Sequence, residues 1–252
     1  MSCPDLPPEM LNSIVDFLYG ETKTLRQYCL VSKSWVPRAR KHLFAVIAFF
    51  TQEDIDAWKK TFLDPSDSPA RYTRTLVVNC AEVVTAADTV EGGWVPTFSH
   101  IVRFVMNSEK GLPPFLKLPP TLRSLSLAFF SLPISGVLTL IHSLPFLEDL
   151  TLIGDDAHLD NGGSDGPQIF APSTPPALTG TLELEVGPGV EDLTRRLLDL
   201  PGGLHFRGLN LRWNETGGFH HPLESAAALS GTLEHLIVAY GLGGAVSSFF
   251  FL

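Results

Sequence analysis

A short apolar pattern recurs along most of this 252-residue chain and constrains its fold more than any other feature. In each copy two hydrophobic residues flank one other residue. The pairs are Leu76/Val78, Val102/Phe104, Leu125/Leu127, Leu150/Leu152, Leu182/Leu184, Leu209/Leu211 and Leu236/Val238. Their first members lie 26, 23, 25, 32, 27 and 27 residues apart. Because side chains alternate along a strand, this pattern predicts short strands with one buried face, repeated as a structural unit.

The intervals fit stacked units that each contain a strand and a return segment. Leucine-rich repeats run about 20 to 29 residues, and each buries its apolar face by stacking on its neighbours. A fuller LxxLxL pattern begins at Leu122, Leu147, Phe206 and Leu233. The segments SGVLTLIHSLP and VEDLTRRLLDLP have helical apolar spacing and end at proline. We therefore predict degenerate leucine-rich repeats over 73–252. A plain α/β domain with a somewhat longer period is the alternative.

Two departures from the repeat are predicted. The 32-residue interval contains GDDAHLDNGGSDGPQIFAPSTPP, which we interpret as an inserted loop at 154–176 because it is rich in Gly, Pro and Asp. After the last pair comes SSFFFL with no polar capping repeat, so the C-terminus is predicted to be uncapped and to stop inside a repeat. We expect this tail to fold back next to Leu236 and Val238, since burying two phenylalanines contributes on the order of 3 to 6 kcal/mol.

The first forty or so residues follow helical spacing instead. A first amphipathic helix is predicted from the recurrence of Met10, Ile14, Phe17 and Leu18. Thr24 and Gln27 form a capping-box pattern that opens a second helix, and a third begins near Ser32. Three short helices without metal ligands or disulfides are too small to stand alone. Their apolar faces need cover from the rest of the chain or from another protein.

The same segment resembles the F-box. LPPEMLNSIVDFL, then LRQYCLVSKSW, then ARKHLF are similar to it in order, spacing and residue type from Leu6 to Phe44. In that family the corresponding positions meet the Skp-type adaptor of cullin-RING ubiquitin ligases. The resemblance implies adaptor binding by Leu6, Pro7, Ile14, Leu18, Leu25, Leu30, Val31, Ser32 and Trp35. Taken singly, Pro8 is an ordinary helix-starting proline and Trp35 an ordinary core aromatic.

Between these two regions Thr51 is placed to cap a short helix that carries Ile55 and Trp58 and that DPSDSP breaks. The resulting assignment is an F-box at 1–48, a linker helix and turn at 49–72 and the repeats at 73–252. The predicted fold is α/β, a three-helix F-box followed by a leucine-rich-repeat solenoid. The whole arrangement resembles the expanded F-box families of mushroom-forming fungi, which implies a role in substrate recognition.

The residue inside each apolar pair should face outward on the concave side of the solenoid, because strand side chains alternate. These candidate substrate-facing residues are Val77, Arg103, Ser126, Thr151, Glu183, Asn210 and Ile237. The set has no dominant charge and no aromatic anchor. These residues therefore do not identify the substrate.

Charge, apolar run length and cysteine count limit the classes of partner and the cellular compartment that we expect. A net charge of -9 argues against nucleic acid, because phosphate binding depends on clustered Lys and Arg. The apolar run from Leu43 to Phe50 is too short to span a membrane. Three cysteines without paired spacing favour a reducing compartment, the cytoplasm or the nucleus. The expected partners are the Skp-type adaptor, through it a cullin, and an unidentified protein substrate.

No catalytic or cofactor motif stands out. HExxH, GxSxG, GxxxxGK[ST] and paired Cys ligands are all missing from the sequence. His220 and His221 are adjacent, so on an extended segment they point to opposite sides, and GLGGAV lacks the third glycine of a dinucleotide site. We expect no enzyme activity, no cofactor and no metal. A leucine-rich-repeat scaffold with no ubiquitin role and a hydrolase with an unrecognised site are the alternatives.

Overall fold

After three helices, the described chain is mostly strands, with α-helices between some of them. The computed structural model describes residues 7–31, 33–64, 67–79, 95–108, 116–158, 176–186, 190–200, 203–214, 231–242 and 245–251. Within them the chain forms six α-helices and one nine-stranded sheet. The predicted α/β class is confirmed.

Three short helices open the chain: α1 (Pro8–Phe17), α2 (Thr22–Val31) and α3 (Val36–Leu43). Gly20 turns the chain between α1 and α2 at a φ of 94°, which a side chain would strain. The predicted capping box at Thr24 and Gln27 is wrong, because α2 begins at Thr22. The Leu25 amide donates to the Glu21 carbonyl at 2.9 Å, so the first helical turn forms before Thr24.

Nine strands follow in chain order. They are β1 (Val46–Phe49), β2 (Thr75–Val78), β3 (Arg103–Ser108), β4 (Ser124–Pro133), β5 (Asp149–His158), β6 (Thr181–Val186), β7 (Gly208–Asn214), β8 (His235–Leu242) and β9 (Ala245–Phe251). Each strand pairs with the next one along the chain. The pairs from β1 to β8 are parallel, and β9 runs antiparallel to β8.

Return segments carry the remaining helices. Helix α4 (Gln52–Thr61) joins β1 to β2, α5 (Ile134–His142) joins β4 to β5, and α6 (Val190–Leu198) joins β6 to β7. Two 3-10 turns, Pro69–Tyr72 and Val95–Thr97, precede β2 and β3. Helices α5 and α6 are the two returns predicted from helical spacing, and both are confirmed.

The core is built from apolar ladders that cross the strands. One buried ladder joins Ile47, Leu76, Phe104, Leu125, Leu150, Leu182 and Leu209, and a second joins Phe49, Val78, Met106, Leu127, Leu152, Leu184 and Leu211. Residues of the returns, such as Ile55, Ile141 and Leu193, pack on them to form one cluster. The alternation within each strand therefore creates the buried face.

The backbone repeats as regularly as the side chains. The carbonyl of Ala45, just before β1, accepts hydrogen bonds from the Arg74 and Thr75 amides at 2.8 and 3.0 Å. The same bond to two successive amides of the next unit is made by the carbonyls of Arg74, Val102, Arg123, Gly180 and Arg207. The starts of β2, β3, β4, β5, β7 and β8 are thus fixed by the unit before each of them.

The step from β5 to β6 breaks this regularity. Leu178 stands four residues before Leu182, one more than in the other units, and it is buried at a φ of 44°, which is rare for leucine. Here the Asp149 carboxylate, through Oδ1, accepts from the Thr181 amide at 2.8 Å. Gly180 fits this turn because a Cβ would lie 2.1 Å from that oxygen.

The sheet begins earlier than the predicted repeat boundary at residue 73. Phe44, Ile47 and Phe49 form a first unit of the same LxxLxL type, and α4 is its return rather than a linker. The boundary between residues 48 and 49 therefore falls inside β1. Residues 46–49 form a strand because their backbone pairs in parallel with β2, and this pairing cannot be seen in the local sequence.

One apolar pair was predicted in the wrong register. Leu76 pairs with Phe104, so the buried pair of β3 is Phe104/Met106 and not Val102/Phe104. Val102 lies before the strand, where its amide donates to the Arg74 carbonyl at 2.8 Å. Both registers satisfy the alternation of apolar residues along the strand. Pairing with β2 decides that Phe104 and Met106 are the buried pair.

The inserted loop predicted at 154–176 starts too early. Strand β5 continues to His158, because Gly154 pairs with Phe129 and His158 pairs with Pro133. Pro176, at the other end, is buried. The intervening residues 159–175 lie outside the described part of the chain, as do His220 and His221.

The apolar tail forms the last strand of the sheet. Phe249 pairs with Val238 and Phe251 with Leu236, so the expected fold-back takes the form of an antiparallel strand. Strand β8 is therefore paired along this edge by β9. Leu252 lies outside the described residues.

Candidate protein-docking surfaces

The three N-terminal helices, here called the helical unit, enclose a very small core. Its buried residues are Val15, Leu25 and Ala39, one from each helix. Leu18, Cys29 and Leu43 pack against them and stay partly exposed. This cluster is separate from the core under the sheet, so the helical unit has little apolar burial of its own.

A charged cluster joins α1 to α3. The Arg38 guanidinium donates from Nε to Asp16 Oδ1 at 2.6 Å and from its second nitrogen to Oδ2, and His42 Nε2 lies 2.7 Å from Oδ1. Hydrogen bonds from Arg38 and then from His42 hold the pKa of the Asp16 carboxyl well below its ordinary value. The same contact raises the pKa of Arg38. Electrostatic contacts therefore supplement the small core.

Large apolar side chains remain exposed on α1 and α2. Exposure is 53% for Met10, 39% for Ile14 and 89% for Phe17, and it is 88% for Leu30 and 71% for Val31. Met10, Ile14 and Phe17 recur at spacings of four and three, so they share one face of α1. Exposed apolar groups concentrated on such a small unit are typical of a surface that another protein covers.

The predicted adaptor-binding residues fall into four groups. Pro7, Ile14, Leu30 and Val31 are exposed. Leu18 and Trp35 are half-buried, and the Trp35 ring stacks on Tyr28 at 4.8 Å between centroids. Leu25 is 1% exposed, so its prediction as a surface contact is corrected: it belongs to the core, because it faces α1 and α3. Leu6 and Ser32 lie outside the described residues.

Two exposed apolar residues of α1 were not predicted as contacts. Met10 and Phe17 flank Ile14 on the same stripe of α1 and are more exposed than it is. The helical spacing that identified the stripe was sufficient to find them. The F-box pattern does not mark these positions, and the prediction followed that pattern.

The second candidate surface is the outward face of the sheet. Register places Val77, Ser126, Thr151, Glu183, Asn210 and Ile237 in one row across the strands, and all are half-exposed. The prediction that Arg103 lies in this row is wrong by one row. Arg103 pairs with Thr75, and Val105 lies beside Val77. Arg103 is exposed on the same face, two residues before Val105.

Hydrogen bonds and ion pairs connect polar side chains across β5, β6 and β7. Arg212 lies 3.2 Å from Glu183 and 3.5 Å from Glu185, measured from its terminal nitrogens to carboxylate oxygens. The Thr151 hydroxyl donates to Glu183 at 3.4 Å. Glu185 and Arg212 were missed because only the residue inside each apolar pair was considered. The alternation in LELEV and LNLRW continues to both.

The same face has a different character across β1 to β3. Ala48, Val77 and Val105 form a half-exposed apolar row, and Asn107 donates to Asn79 at 2.7 Å in the next row. One end of the surface is thus apolar with amides, and the other presents a Thr, Glu and Arg network. A protein surface with matching apolar and charged parts would fit both ends.

Within the described residues, no three His, Cys, Asp or Glu side chains are grouped closely enough to hold a metal ion. No helix of this part of the chain is both long and apolar enough to cross a lipid bilayer. Comparison with protein-family models, with curated proteins and with solved structures found no match to this chain.

Proposed function

We propose that this chain is the substrate-recognition subunit of a cullin-RING, SCF-type ubiquitin ligase, acting as an adaptor and not as an enzyme. The helical unit docks on a Skp-type adaptor and through it on a cullin. The sheet binds a protein substrate. The observation that carries the proposal is the exposure of Met10, Ile14, Phe17, Leu30 and Val31 on a unit whose described residues bury three apolar side chains in a cluster of their own.

The energetics of the helical unit support a docking role. Fully burying a leucine-sized side chain is worth about 1.5 to 3 kcal/mol. Leu30 and Val31 are consecutive residues at the end of α2, and neither makes use of this gain within the described chain. A partner that covers them gains it on binding, together with the burial of the α1 stripe. The F-box resemblance indicates a Skp-type adaptor as that partner.

The arrangement of the sheet supports the substrate half of the proposal. Strand order equals chain order, the returns include helices α4, α5 and α6, and one carbonyl bond recurs between units. We infer a solenoid of degenerate leucine-rich repeats that begins with the unit of Phe44 and Ile47. Such a surface is wide, rigid and half-exposed along its length, which suits recognition of another protein.

A repeat scaffold with no ubiquitin role is the second candidate. It is favoured by the Thr151, Glu183 and Arg212 network, which orders the sheet face without help from the helical unit. In either case we propose a protein partner, no nucleic acid and no membrane, in the cytoplasm or nucleus.

The test is the affinity of the full chain for a purified Skp-type adaptor, measured by titration calorimetry. Replacing Leu30 by alanine should weaken binding about thirtyfold, because truncating a central apolar anchor costs roughly 2 kcal/mol or more. Combining Pro7→Ala with Leu30→Ala should weaken it further, since both side chains are exposed on the helical unit.

Leu63 provides a matched control. It is 85% exposed, close to the value for Leu30, but it follows α4 outside the helical unit. Leu63→Ala should bind the adaptor like the parent chain. Absence of binding by the parent chain, or equal affinity of the Leu30 and Leu63 variants, would exclude the ligase role and leave the scaffold.

A further inference from the structure

The sheet ends on a long strand that has one neighbour among the described residues. All seven residues of β9 (Ala245–Phe251) pair with β8, and β9 is the last strand in the order. In an antiparallel pair, alternate residues direct their N–H and C=O groups away from the partner. The outer side of β9 therefore presents a row of backbone donors and acceptors suited to a further strand.

The sequence of this strand does nothing to block such pairing. AVSSFFF contains no charged residue and no proline, and the pairing with β8 is continuous from Ala245 to Phe251. Proteins commonly protect edge strands with lysine, proline, bulges or short length. The opposite edge is protected in this way: β1 has four residues, and directly after it the Phe50 amide donates to Asp54 at the start of α4.

We propose that β9 pairs antiparallel with β9 of a second copy of this chain about a two-fold axis, which joins the two sheets edge to edge. Centring the pair on Ser248 brings all seven residues of both strands into register. This interface goes beyond the proposed function, because it uses neither the helical unit nor the outward face of the sheet.

In the two-fold pair, the residues of β9 that face one another are complementary. With the axis at Ser248, Val246 stands opposite Phe250 of the other copy, and Ala245 stands opposite Phe251. Aromatic residues opposite β-branched or small apolar residues stabilise antiparallel pairs, and no like charges meet. Because a two-fold contact uses the same edge of both copies, the assembly closes at two copies instead of growing into a fibre.

The net charge gives the dimer a recognisable salt dependence. Each chain carries -9, so two copies repel one another at long range, whereas the strand itself is uncharged. Salt screens exposed charges beyond about 10 Å at 0.1 M, so association should strengthen as salt is raised.

Sedimentation equilibrium of the full chain over a concentration series tests the proposal. The parent chain should show a monomer–dimer equilibrium. Ser248→Lys and Ser248→Glu should each raise the dissociation constant about fivefold, because each brings two like charges together at the axis. An equimolar mixture of the two variants should restore dimer formation, since opposite charges then meet.

The matched controls are Ser99→Lys and Ser99→Glu, the same changes at an exposed turn residue before β3. Both should associate like the parent chain. A parent chain that stays monomeric, Ser248 variants that associate as well as the controls, or a mixture that shows no recovery would overturn the proposal. Adaptor binding by the Ser248 variants should be unchanged, so the two proposals succeed or fail separately.

Discussion

The helical unit and the sheet are held together in different ways, although Leu43 and Phe44 are neighbours in sequence. Leu43 packs on the three buried residues of the helical unit, whereas Phe44 packs on the continuous core beneath the sheet. The sheet gains its stability from ladders in which each unit buries the next. The helical unit has one small cluster and a charged contact between α1 and α3.

This contrast explains why one region of the chain covers its own apolar face while the other leaves apolar side chains exposed. A residue of the sheet ladders has apolar neighbours on both adjacent strands, so its face is covered by the chain itself. Residues of α1 and α2 reach the surface because three helices cannot enclose all of their apolar side chains. The exposed apolar surface of the helical unit follows from its size.

The largest effect on the free energy of unfolding is expected when a buried side chain of a sheet ladder is shortened. Leu125 is fully buried on β4 between Phe104 and Leu150. Leu125→Ala should lower the free energy of unfolding by roughly 3 kcal/mol, because the transfer term and the resulting cavity add. Chemical denaturation followed by circular dichroism measures this. The exposed change Leu63→Ala should stay within about 0.5 kcal/mol of the parent chain. Similar losses for both variants would contradict the ladder.

A smaller effect, an increase in the free energy of unfolding, is expected from a substitution at Thr73. This residue is buried before β2, in the place held by Ile101 and Leu122 in later units, and its hydroxyl has no hydrogen-bond partner within the described residues. Thr73→Val should raise the free energy of unfolding by about 1 kcal/mol, since it removes a buried unpaired polar group and keeps the shape.

Thr121 gives the matched control for this change. Its hydroxyl donates to the Ile101 carbonyl at 3.3 Å, so Thr121→Val removes a bond instead of an unpaired group. It should lower stability in the same denaturation experiment. Destabilisation by Thr73→Val would show that its hydroxyl has a partner after all.

The smallest effect is expected in the helical unit, at Asp16. Asp16→Asn should loosen α1 from α3 and raise amide exchange there by roughly two- to fivefold, because exposed ion pairs contribute little. Hydrogen exchange with mass spectrometry on peptides from α1 and α3 measures this. Exchange in β4 should be unaffected, which serves as the internal control.

The pH dependence of this contact has a defined sign. Because the pKa of Asp16 is lowered in the folded chain, its contribution is present above the ordinary value of 3.8 and is lost as pH falls further. The difference in amide protection between Asp16→Asn and the parent chain should therefore shrink as the pH falls below 3.8. A difference that grows in acid would contradict the assignment to this carboxylate.

Local patterns predicted most of the local structure, although the capping box at Thr24 and Gln27 was wrong. Thr51 caps α4 as expected: its hydroxyl accepts from the Asp54 amide at 3.3 Å, and the Asp54 carboxylate accepts from the Thr51 amide at 3.0 Å. The apolar spacing of the two predicted returns identified α5 and α6. The stripe of Met10, Ile14 and Phe17 was visible as well. Each of these signals is contained within about ten residues.

Predictions that depended on a neighbouring segment were less accurate. The loop predicted from Gly154 onward continues as strand to His158, because β4 lies beside it and pairs with it. The shift of β3 from Val102 to Phe104 has the same origin. Leu25 was assigned to the surface, although α1 and α3 enclose it.

The sequence by itself determined the α/β class, the alternation that makes one face of the sheet apolar, and the helical character of the first forty residues. Those properties follow from side-chain periodicity, which needs no knowledge of distant residues. Only the tertiary structure decided that the sheet starts at Val46, that Phe104 stands beside Leu76, and that the folded-back tail pairs with β8 as an antiparallel strand. The reason is that strands find their register and their ends through hydrogen bonds to other strands, and an alternating pattern fits more than one register.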